Sequence, residues 1–429
     1  MKVQHLIAAL LACVILASGL GGGILYAQSV EDRYVHALAP MHAPLNITGS
    51  ALQQAALRQP DLLLIYGASE VLSQPSPYQA SQFFHTYPTG FETFEVSKGG
   101  LPFLIIAQQI AALGPELRGK KVVLSYAPSS LLIRMANPTA YANMFSRLHA
   151  NELAFSDQLS FDTKRLAALR MLQYPKTLDK EPILRFALQN LASSQPLSGM
   201  LYYAVWPLGK LQTFILELQD HYRTVTYIQS QKRLNPVVNR KAAKINWQAV
   251  AARARREQIP YSNNNPYGFD DNIWRKNFNA KWKPRPAGSA DQGYLNAMLN
   301  SEEWVDFNIV LRILHDMGAQ PLILGRPIKT AYMEATGVSW TAQQVFYDRM
   351  HQVAQLYGFP LVDFENFAND LYFGVDPVPH TSREGWVYVD QVLDEYYHGH
   401  LGTPSRAINR TGAMLSGHLA GAHRDVRPG

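Results

Sequence analysis

Short apolar runs alternate with amphipathic segments along much of the chain. The runs at residues 61–67 and 121–126 lack the alternation of a half-exposed strand, which predicts strands buried on both faces. A helical pattern lies between them at residues 102–113. Strand, helix and strand in this order form a βαβ unit, so this part of the chain predicts a parallel α/β sheet.

The α/β pattern returns after a long interruption. Apolar residues recur at helical spacing from about 140 to 225, which predicts a helical insertion. Residues 227–300 are polar and basic without clear periodicity, and we expect them to loop across the surface. The pattern then resumes with a helix at 302–317, a strand at 321–325, a helix at 341–357, a strand at 359–363 and a last helix at 386–401. The sheet is therefore expected to close across the insertion.

The amino-terminal segment predicts a membrane anchor. Residues 6–27 are uncharged and apolar, and they are long enough to cross a bilayer as a helix. Lys2 precedes this stretch, whereas Glu31 and Asp32 follow it, which favours a cytoplasmic amino terminus and an extracytoplasmic body. A cleaved signal peptide is the alternative, but Leu25-Tyr26-Ala27 is a poor cleavage site. The expectation is a single-pass protein of the cell membrane.

Composition narrows the class of partner. With 429 residues, 47% hydrophobic and 17% charged, the chain can bury a large core. The net charge of +6 comes without a basic run with interleaved aromatics, which argues against nucleic acid and favours an anionic envelope surface. Cys13 is the only cysteine, so intrachain disulfides and cysteine-dependent catalysis outside the membrane are excluded.

A serine and a histidine are the candidate chemistry. Ser69 follows the first predicted strand, at the sheet edge where α/β proteins bind ligands. A serine nucleophile needs a histidine base and an acid that orients it, and His380 with Asp376 is the best candidate. A helix-capping serine is the structural alternative. No glycine stands two places after Ser69, which argues against the nucleophile elbow of α/β-hydrolases.

Several sequence blocks are similar to one known family. They are Gly67-Ala68-Ser69-Glu70, Lys98-Gly99-Gly100, residues 119–128, residues 263–268 and residues 380–390. On these blocks the chain resembles the DltD family, membrane-anchored proteins of cell-envelope D-alanylation with an SGNH-hydrolase-like domain. The last block is the most specific, because its spacing from histidine to Gly-Trp agrees with the family. The resemblance implies an SGNH-hydrolase-like parallel sheet with flanking helices.

The resemblance also assigns catalytic roles. It places the serine nucleophile on Ser69 and the histidine base on His380. The family usually has its acid three residues before the histidine, whereas Asp376 stands four before it, with prolines between. The prolines exclude a helical turn, so an extended bulge is needed to bring Asp376 to the imidazole. Asp363, or no acid at all, is the alternative.

The oxyanion and substrate residues are less fully specified. The family often has a glutamine shortly after its glycines, where this chain continues with residues 101–103, and no third-block asparagine is found. Backbone amides of Ser69 and of Gly99 or Gly100 are therefore the expected oxyanion donors. Asn264 and Asn265 are predicted to line a substrate groove, with an ordinary asparagine turn as the alternative. No metal site and no cofactor are predicted.

The predicted organisation follows from these assignments. It comprises an anchor at 1–28, a spacer at 29–60, a first part of the SGNH-like α/β domain at 61–140, a helical and loop insertion at 141–300, a second part of that domain at 301–401 and a disordered tail at 402–429. The resemblance implies transfer of D-alanine to an anionic envelope polymer of the teichoic-acid type. The implied partners are a membrane-bound O-acyltransferase and a D-alanyl carrier system. An esterase or thioesterase that uses water, and a non-catalytic adaptor of the acyltransferase, are the alternatives.

Overall fold

The computed structural model describes most of the chain. Its described residues are 2–72, 76–133, 136–231, 233–236, 242–277, 283–378 and 380–401. The tail predicted to be disordered, residues 402–429, lies outside them.

A five-stranded sheet forms the centre of the described structure. Its strands are β1 Leu62–Gly67, β2 Glu92–Ser97, β3 Lys121–Tyr126, β4 Gln320–Gly325 and β5 Leu361–Val362. They lie in the order β2-β1-β3-β4-β5, and each adjacent pair is parallel. The predicted parallel α/β fold is confirmed, and the sheet does close across the long insertion.

Helices cover both faces of the sheet. They are α1 Lys2–Leu38, α2 Leu45–Thr48, α3 Ala51–Arg58, α4 Ala80–Thr86, α5 Phe103–Ala111, α6 Pro138–Met144, α7 Arg147–Ala154, α8 Phe161–Met171, α9 Pro182–Ala192, α10 Ser198–Ser230, α11 Trp247–Gln258, α12 Asp271–Asn277, α13 Asp291–Leu299, α14 Glu303–Asp316, α15 Thr330–Ala335, α16 Trp340–Tyr357 and α17 Arg383–Tyr397. The helical pattern of residues 140–225 is confirmed by α6 to α10.

Successive residues of β1 face two different cores, because side chains alternate across a strand. Leu64 and Tyr66 belong to a large apolar cluster that includes α5 and α14. Leu63 and Ile65 belong to a second cluster on the opposite face, which includes residues of α4 and α17. The strand is buried along its whole length, as its unbroken apolar run predicted.

Residues 227–300 do not simply loop across the surface, and that prediction was wrong. Helices α11, α12 and α13 lie within this segment. In α11 the buried residues include Ala251 and Ala254, while arginines occupy exposed positions, so the helix packs against α17 through small side chains. Alanine is only weakly hydrophobic, so the buried side of this helix is hard to recognise in the sequence. The helix is stabilised mainly by tertiary packing.

Strand β2 was also missed. Its sequence, Glu-Thr-Phe-Glu-Val-Ser, alternates polar and apolar residues, yet every position is buried. Glu95 is tolerated there because its carboxylate accepts hydrogen bonds from Gln79 Nε2 at 3.0 Å and from the Ser81 amide at 3.1 Å. Burial nevertheless raises the pKa of Glu95 to about 7.

Helix α1 joins the predicted anchor to the α/β domain without a break. Its apolar portion has a mean hydropathy of 2.2 and none of it is buried, so the helix is long and apolar enough to cross a membrane. Its last turns bury Val35 and Leu38 in the large core cluster. Residues 29–60 are therefore largely helical and packed against the domain.

Candidate active site

Ser69 lies on a tight turn at the carboxyl end of β1. The amide of Ala68 donates to Glu70 Oε1 at 2.9 Å, and the Ala68 carbonyl accepts from the Val71 amide at 3.3 Å. A Cβ at Gly67 would lie 2.5 Å from both Glu70 Oε1 and a Val71 methyl carbon, so a side chain there would clash. The glycine therefore permits the sharp exit from the strand, which leaves Ser69 half-buried at the sheet edge.

His380 and Asp376 form a hydrogen-bonded pair within one loop. His380 Nδ1 bonds to Asp376 Oδ2, while Asp376 Oδ1 accepts from the amides of Val378 and His380, each at 3.0 Å. Prolines have no amide hydrogen, so residues 377 and 379 compete for neither oxygen. The Asp376 carboxylate closes the turn by accepting from amides of the loop, and with a spacing of four residues this turn brings Asp376 to the His380 ring.

The chain after His380 is held by backbone contacts. Thr381 forms an antiparallel bridge with Gly374, and the Val375 amide donates to the His380 carbonyl at 2.8 Å. Ser382 then caps α17 by accepting from the Gly385 amide at 2.9 Å. A Cβ at Gly385 would lie 2.2 Å from the Phe373 carbonyl oxygen. This close approach explains why a glycine stands at position 385.

The surroundings of His380 act on its pKa in opposite directions. Burial lowers its pKa, but the hydrogen bond that His380 donates to Asp376, the charge of Asp376 and the charge of Glu70 outweigh burial. The pKa of His380 is therefore raised above its usual value of 6.5.

Arg326 connects the serine turn to the histidine loop. Its Nε donates to Thr381 Oγ1 at 2.7 Å, and its Nη2 donates to the Glu70 carbonyl at 3.5 Å. The residues directly after Ser69 and His380 therefore bind one planar guanidinium group. Within the described residues the ring hydrogen bond of His380 goes to Asp376, and none joins it to the Ser69 hydroxyl. Such catalytic hydrogen bonds commonly tighten only with substrate.

Arg326 is a buried cation that the sequence analysis missed. Only 1% of it is exposed, and burial lowers its pKa to about 10, opposed by the charges of Glu70, Asp390 and Glu95. The guanidinium also lies over the Trp386 ring, 5.3 Å from its centroid. A signal was present, since an arginine directly follows the apolar strand β4 at the ligand-binding edge of the sheet.

Gly99 and Gly100 lie at the same edge of the sheet as Ser69. Gly67, the end of β1, pairs with Ser97, the end of β2, so Ser69 and Gly99 each follow their strand by two residues. Gly100 has φ of +71° in a turn closed by the Leu101 amide and the Lys98 carbonyl. Within the described residues, the amides of Ser69, Gly99 and Gly100 donate to no other group. Their oxyanion role stays a prediction.

Asn264 and Asn265 direct their amide groups into their own loop. Asn264 Nδ2 donates to Asp271 Oδ2 and Asn265 Nδ2 donates to the Phe269 carbonyl, each at 2.7 Å. The loop also contacts the histidine segment, because the Asp270 amide donates to the Val375 carbonyl at 2.8 Å. These contacts fit the turn alternative, and substrate binding by the two asparagines stays a prediction.

Asp363, the alternative acid, contacts a different histidine. Its Oδ2 bonds to His351 Nε2 at 2.7 Å. Glu365 lies close enough to these two for all three to bind a metal ion, with ligand atoms within 4.8 Å of one another. The Glu365 carboxylate, however, already accepts from Gln344 Nε2 at 2.8 Å. The group is accounted for as an ordinary hydrogen-bonded cluster.

A cleft of about 390 Å³ opens beside the histidine loop. Thr381, Ser382 and Arg383 form one side, and the residues opposite include Tyr261. The Arg383 guanidinium carbon lies 4.8 Å from the centroid of the Tyr261 ring, and half of Tyr261 is exposed. The cleft therefore presents a cation on an aromatic ring within three residues of His380.

Comparisons with known proteins identify the family of this chain. A family model described as DltD protein matches residues 41–398. Protein DltD of Bacillus subtilis (strain 168) is 28% identical over 368 residues, covering 86% of this chain and 90% of the relative. Protein DltD of Lacticaseibacillus rhamnosus is 22% identical over 386 residues, covering 90% and 88%. Protein DltD of Staphylococcus aureus (strain NCTC 8325 / PS 47) is 20% identical over 354 residues, covering 82% and 85%. The chain therefore belongs to the DltD family, whose proteins take part in the D-alanylation of teichoic acids.

Proposed function

We propose that the chain is a membrane-anchored serine acyltransferase that moves D-alanine onto an anionic envelope polymer. The observation that carries this proposal is the contact of Arg326 with the residues after Ser69 and after His380. It supports a shared site for the serine and for a histidine whose Nδ1 is bonded to Asp376. That leaves His380 Nε2, the nitrogen used by serine hydrolases, for proton transfer.

The first step forms a covalent D-alanyl enzyme. Ser69 Oγ attacks the carbonyl carbon of a D-alanyl ester donor, and His380 accepts the hydroxyl proton. Collapse of the intermediate breaks the bond to the leaving group, which takes that proton from His380. Asp376 keeps the imidazole in the required tautomer, and amides of Ser69, Gly99 and Gly100 stabilise the negative oxygen.

The second step transfers the acyl group. A polymer hydroxyl gives its proton to His380 and attacks the acyl carbon, and the bond to Ser69 breaks as the proton returns to its oxygen. In this proposal α1 is the anchor with a cytoplasmic amino terminus, and the body lies outside the cytoplasm. A membrane-bound O-acyltransferase and a D-alanyl carrier system supply the donor at the outer surface.

The cleft beside His380 is the proposed seat of the acceptor. An arginine on an aromatic ring suits the phosphates of an anionic polymer. We expect Arg383→Gln to raise the KM for acceptor about tenfold, the loss of about 1.4 kcal/mol of binding. Labelling of Ser69 by a fluorophosphonate probe should not change, because the nucleophile and its base are intact. An unaltered acceptor KM would remove Arg383 from the acceptor site.

The deciding experiment measures ester-linked D-alanine released by mild alkali from envelopes of a deletion strain. The strain carries wild type, Ser69→Ala or Ser125→Ala at equal protein levels. Ser125 is a matched control, because its hydroxyl is buried at the same sheet edge without a hydrogen-bond partner among the described residues. We expect wild type and Ser125→Ala to restore the ester, and Ser69→Ala to fail.

Each other outcome points to a different function. Restoration by Ser69→Ala would favour the non-catalytic adaptor. Failure of all three proteins would contradict the D-alanine assignment. Purified protein given donor and acceptor separates transfer from hydrolysis, since an esterase releases free D-alanine whether or not the polymer is present.

A further inference from the structure

Helix α10 exposes a broad apolar face along its first half. Seven large apolar residues between positions 197 and 215 have exposed fractions from 45% to 68%. The members are Leu197, Met200, Leu201, Tyr203, Leu208, Leu211 and Ile215, called the α10 apolar face below. Their spacing of three and four residues places them on one side of the helix, and Met200 and Tyr203 widen that side beyond a narrow helix-pairing seam.

Charged groups near this face are already paired. Lys210 is the cation within the stretch, and its Nζ lies 3.1 Å from an Asp157 carboxylate oxygen. It also lies 5.7 Å from the centroid of the Trp206 ring. The opposite side of the helix packs inward, where Tyr202 and Gly209 are buried. The Asp157 side chain is 55% exposed, but its charge is opposed by that of Lys210, which lowers the cost of placing this pair beside an apolar medium.

Helices α1 and α10 run in the same direction where they touch. Glu31 Oε1 bonds to His221 Nδ1. Seven residues earlier on each helix, Ile24 and Phe214 line one small cavity. Moving two helical turns toward the amino terminus on either helix therefore leads to the same cavity, so the two helices run in parallel here.

Both helices change from apolar to polar at that level. On α1 the last exposed apolar residues are Leu25 and Tyr26, and Ser29 is the next exposed residue. On α10 exposed Ile215 is followed by exposed Gln219, and beyond it the exposed aromatic Tyr222 stands among the exposed polar residues Arg223 and Thr226. The bonded residues Glu31 and His221 are 190 positions apart, and the same separation relates Ile24 to Phe214, which line one cavity, so the two changes fall at about the same level. Two separate helices thus mark one boundary.

We infer that the α10 apolar face contacts lipid in the outer leaflet of the membrane, beside the point where α1 leaves it. This inference rests on the proposed anchoring of α1. The exposed apolar residues of α1 lack cover from the protein and need lipid. The α10 apolar face ends at the level where α1 becomes polar, so it is in contact with lipid as well. Lipid contact at two helices would fix the height and orientation of the active site over the membrane, which one helix leaves free to rotate.

Site-directed spin labelling of the full chain in phosphatidylcholine and phosphatidylglycerol vesicles tests the inference. Cys13 is the only cysteine and lies on the exposed part of α1, so its label reports anchoring by itself. In a Cys13→Ser background, Leu208→Cys and Leu211→Cys report the apolar face. Thr226→Cys, exposed in the polar half of α10, is the matched control.

The readout is collision of the nitroxide with oxygen, which concentrates in lipid, and with a water-soluble nickel chelate. We expect lipid-type collision ratios at positions 13, 208 and 211, and a water-type ratio at 226. Water-type ratios at 208 and 211 with a lipid-type ratio at 13 would overturn the inference and leave the anchor intact. A water-type ratio at 13 would overturn the anchor as well. Protection from both reagents at 208 and 211 would show that a protein covers the face and would also overturn lipid contact.

Discussion

Two histidine–aspartate pairs follow the sheet, and they differ in the ring nitrogen that the acid holds. Asp376 binds Nδ1 of His380, whereas Asp363 binds Nε2 of His351. In serine hydrolases the acid binds Nδ1, and Nε2 moves the proton. In the second pair Asp363 occupies Nε2 of His351, so the same two residue types form the proposed base in one place and a structural contact in the other.

The backbone explains this difference. Asp376 and His380 share one loop, and two amides of that loop fix the carboxylate before it meets the ring. Asp363 follows β5, while His351 comes from α16, so their contact joins two elements. The first pair is built to orient an imidazole, and the second ties a helix to the sheet edge.

Neutralising each acid in turn should give the largest difference between the two pairs. Asp376→Asn removes the group that selects the His380 tautomer, so labelling of Ser69 by a fluorophosphonate should slow about 10³ to 10⁴-fold. Asp363→Asn should change the labelling rate by less than about twofold, because His351 contacts neither reacting group. Equal slowing in both variants would show that the two pairs act as one network.

Arg326 distinguishes the pairs, because it contacts the His380 loop. Arg326→Met leaves Glu70, Glu95 and Asp390 without their buried cation, and we expect the free energy of unfolding to fall by about 3–5 kcal/mol. Arg326→Lys keeps the charge but loses the planar fork, so a folded variant with slower Ser69 labelling is expected. Denaturant unfolding of the detergent-solubilised chain measures the first effect.

Arg349→Met is the control for this substitution. Arg349 lies 4.5 Å from the Trp304 ring centroid and is not paired with an acid among the described residues. Its loss should cost about 1 kcal/mol. Unfolding free energies that match for the two arginines would contradict a special role for the buried Arg326 cluster.

The two pairs should also differ in their effect on how the rate of Ser69 labelling depends on pH. The base must be neutral to accept the serine proton, and Asp376 and Glu70 raise the pKa of His380. The rate of Ser69 labelling should therefore fall as pH falls through a midpoint above 6.5. In Asp376→Asn the midpoint should move down, because burial still lowers the pKa while its main opponent is lost. Asp363→Asn should leave the midpoint in place.

The smallest effect belongs to the His351 pair and concerns stability. The hydrogen bond that His351 donates to Asp363 is the main cause that raises the pKa of His351. A raised histidine pKa stabilises the fold at low pH, and this stabilisation is lost as pH rises through the folded-state value. Because a third of the His351 side chain is exposed, we expect about 1 kcal/mol or less, larger at pH 6 than at pH 8. Asp363→Asn should remove that difference in denaturant unfolding.

The sequence predicted strands and helices well where the apolar residues formed an unbroken run or recurred at helical spacing. The strand at 121–126 has the predicted limits, and the helix at 341–357 begins one residue earlier. Strand β2 and helix α11 were missed because each relies on contacts with distant residues. Glu95 in β2 looks exposed in a sequence, since its hydrogen-bond partners come from the start of α4.

The site was predictable in part. The sequence blocks identified Ser69 and His380, and the spacing of Asp376 was compatible with a turn whose existence the sequence alone left open. Arg326 was missed, although it directly follows an apolar strand in the sequence and contacts the residues after Ser69 and after His380. Which of two aspartates meets His380 depended on loop geometry that a count of residues does not supply.

By itself, the sequence determined the parallel α/β core, the apolar amino-terminal helix and the two blocks that carry the serine and histidine. These depend on periodicity, length and local motifs, which are properties of neighbouring residues. Three features became visible only in the folded chain. They are the aspartate that binds His380, the cation that contacts the residues after Ser69 and after His380, and the level at which the exposed residues of α1 and α10 change from apolar to polar. The physical reason is distance along the chain, since Arg326 and Glu70 are 256 residues apart and meet only when the sheet has formed.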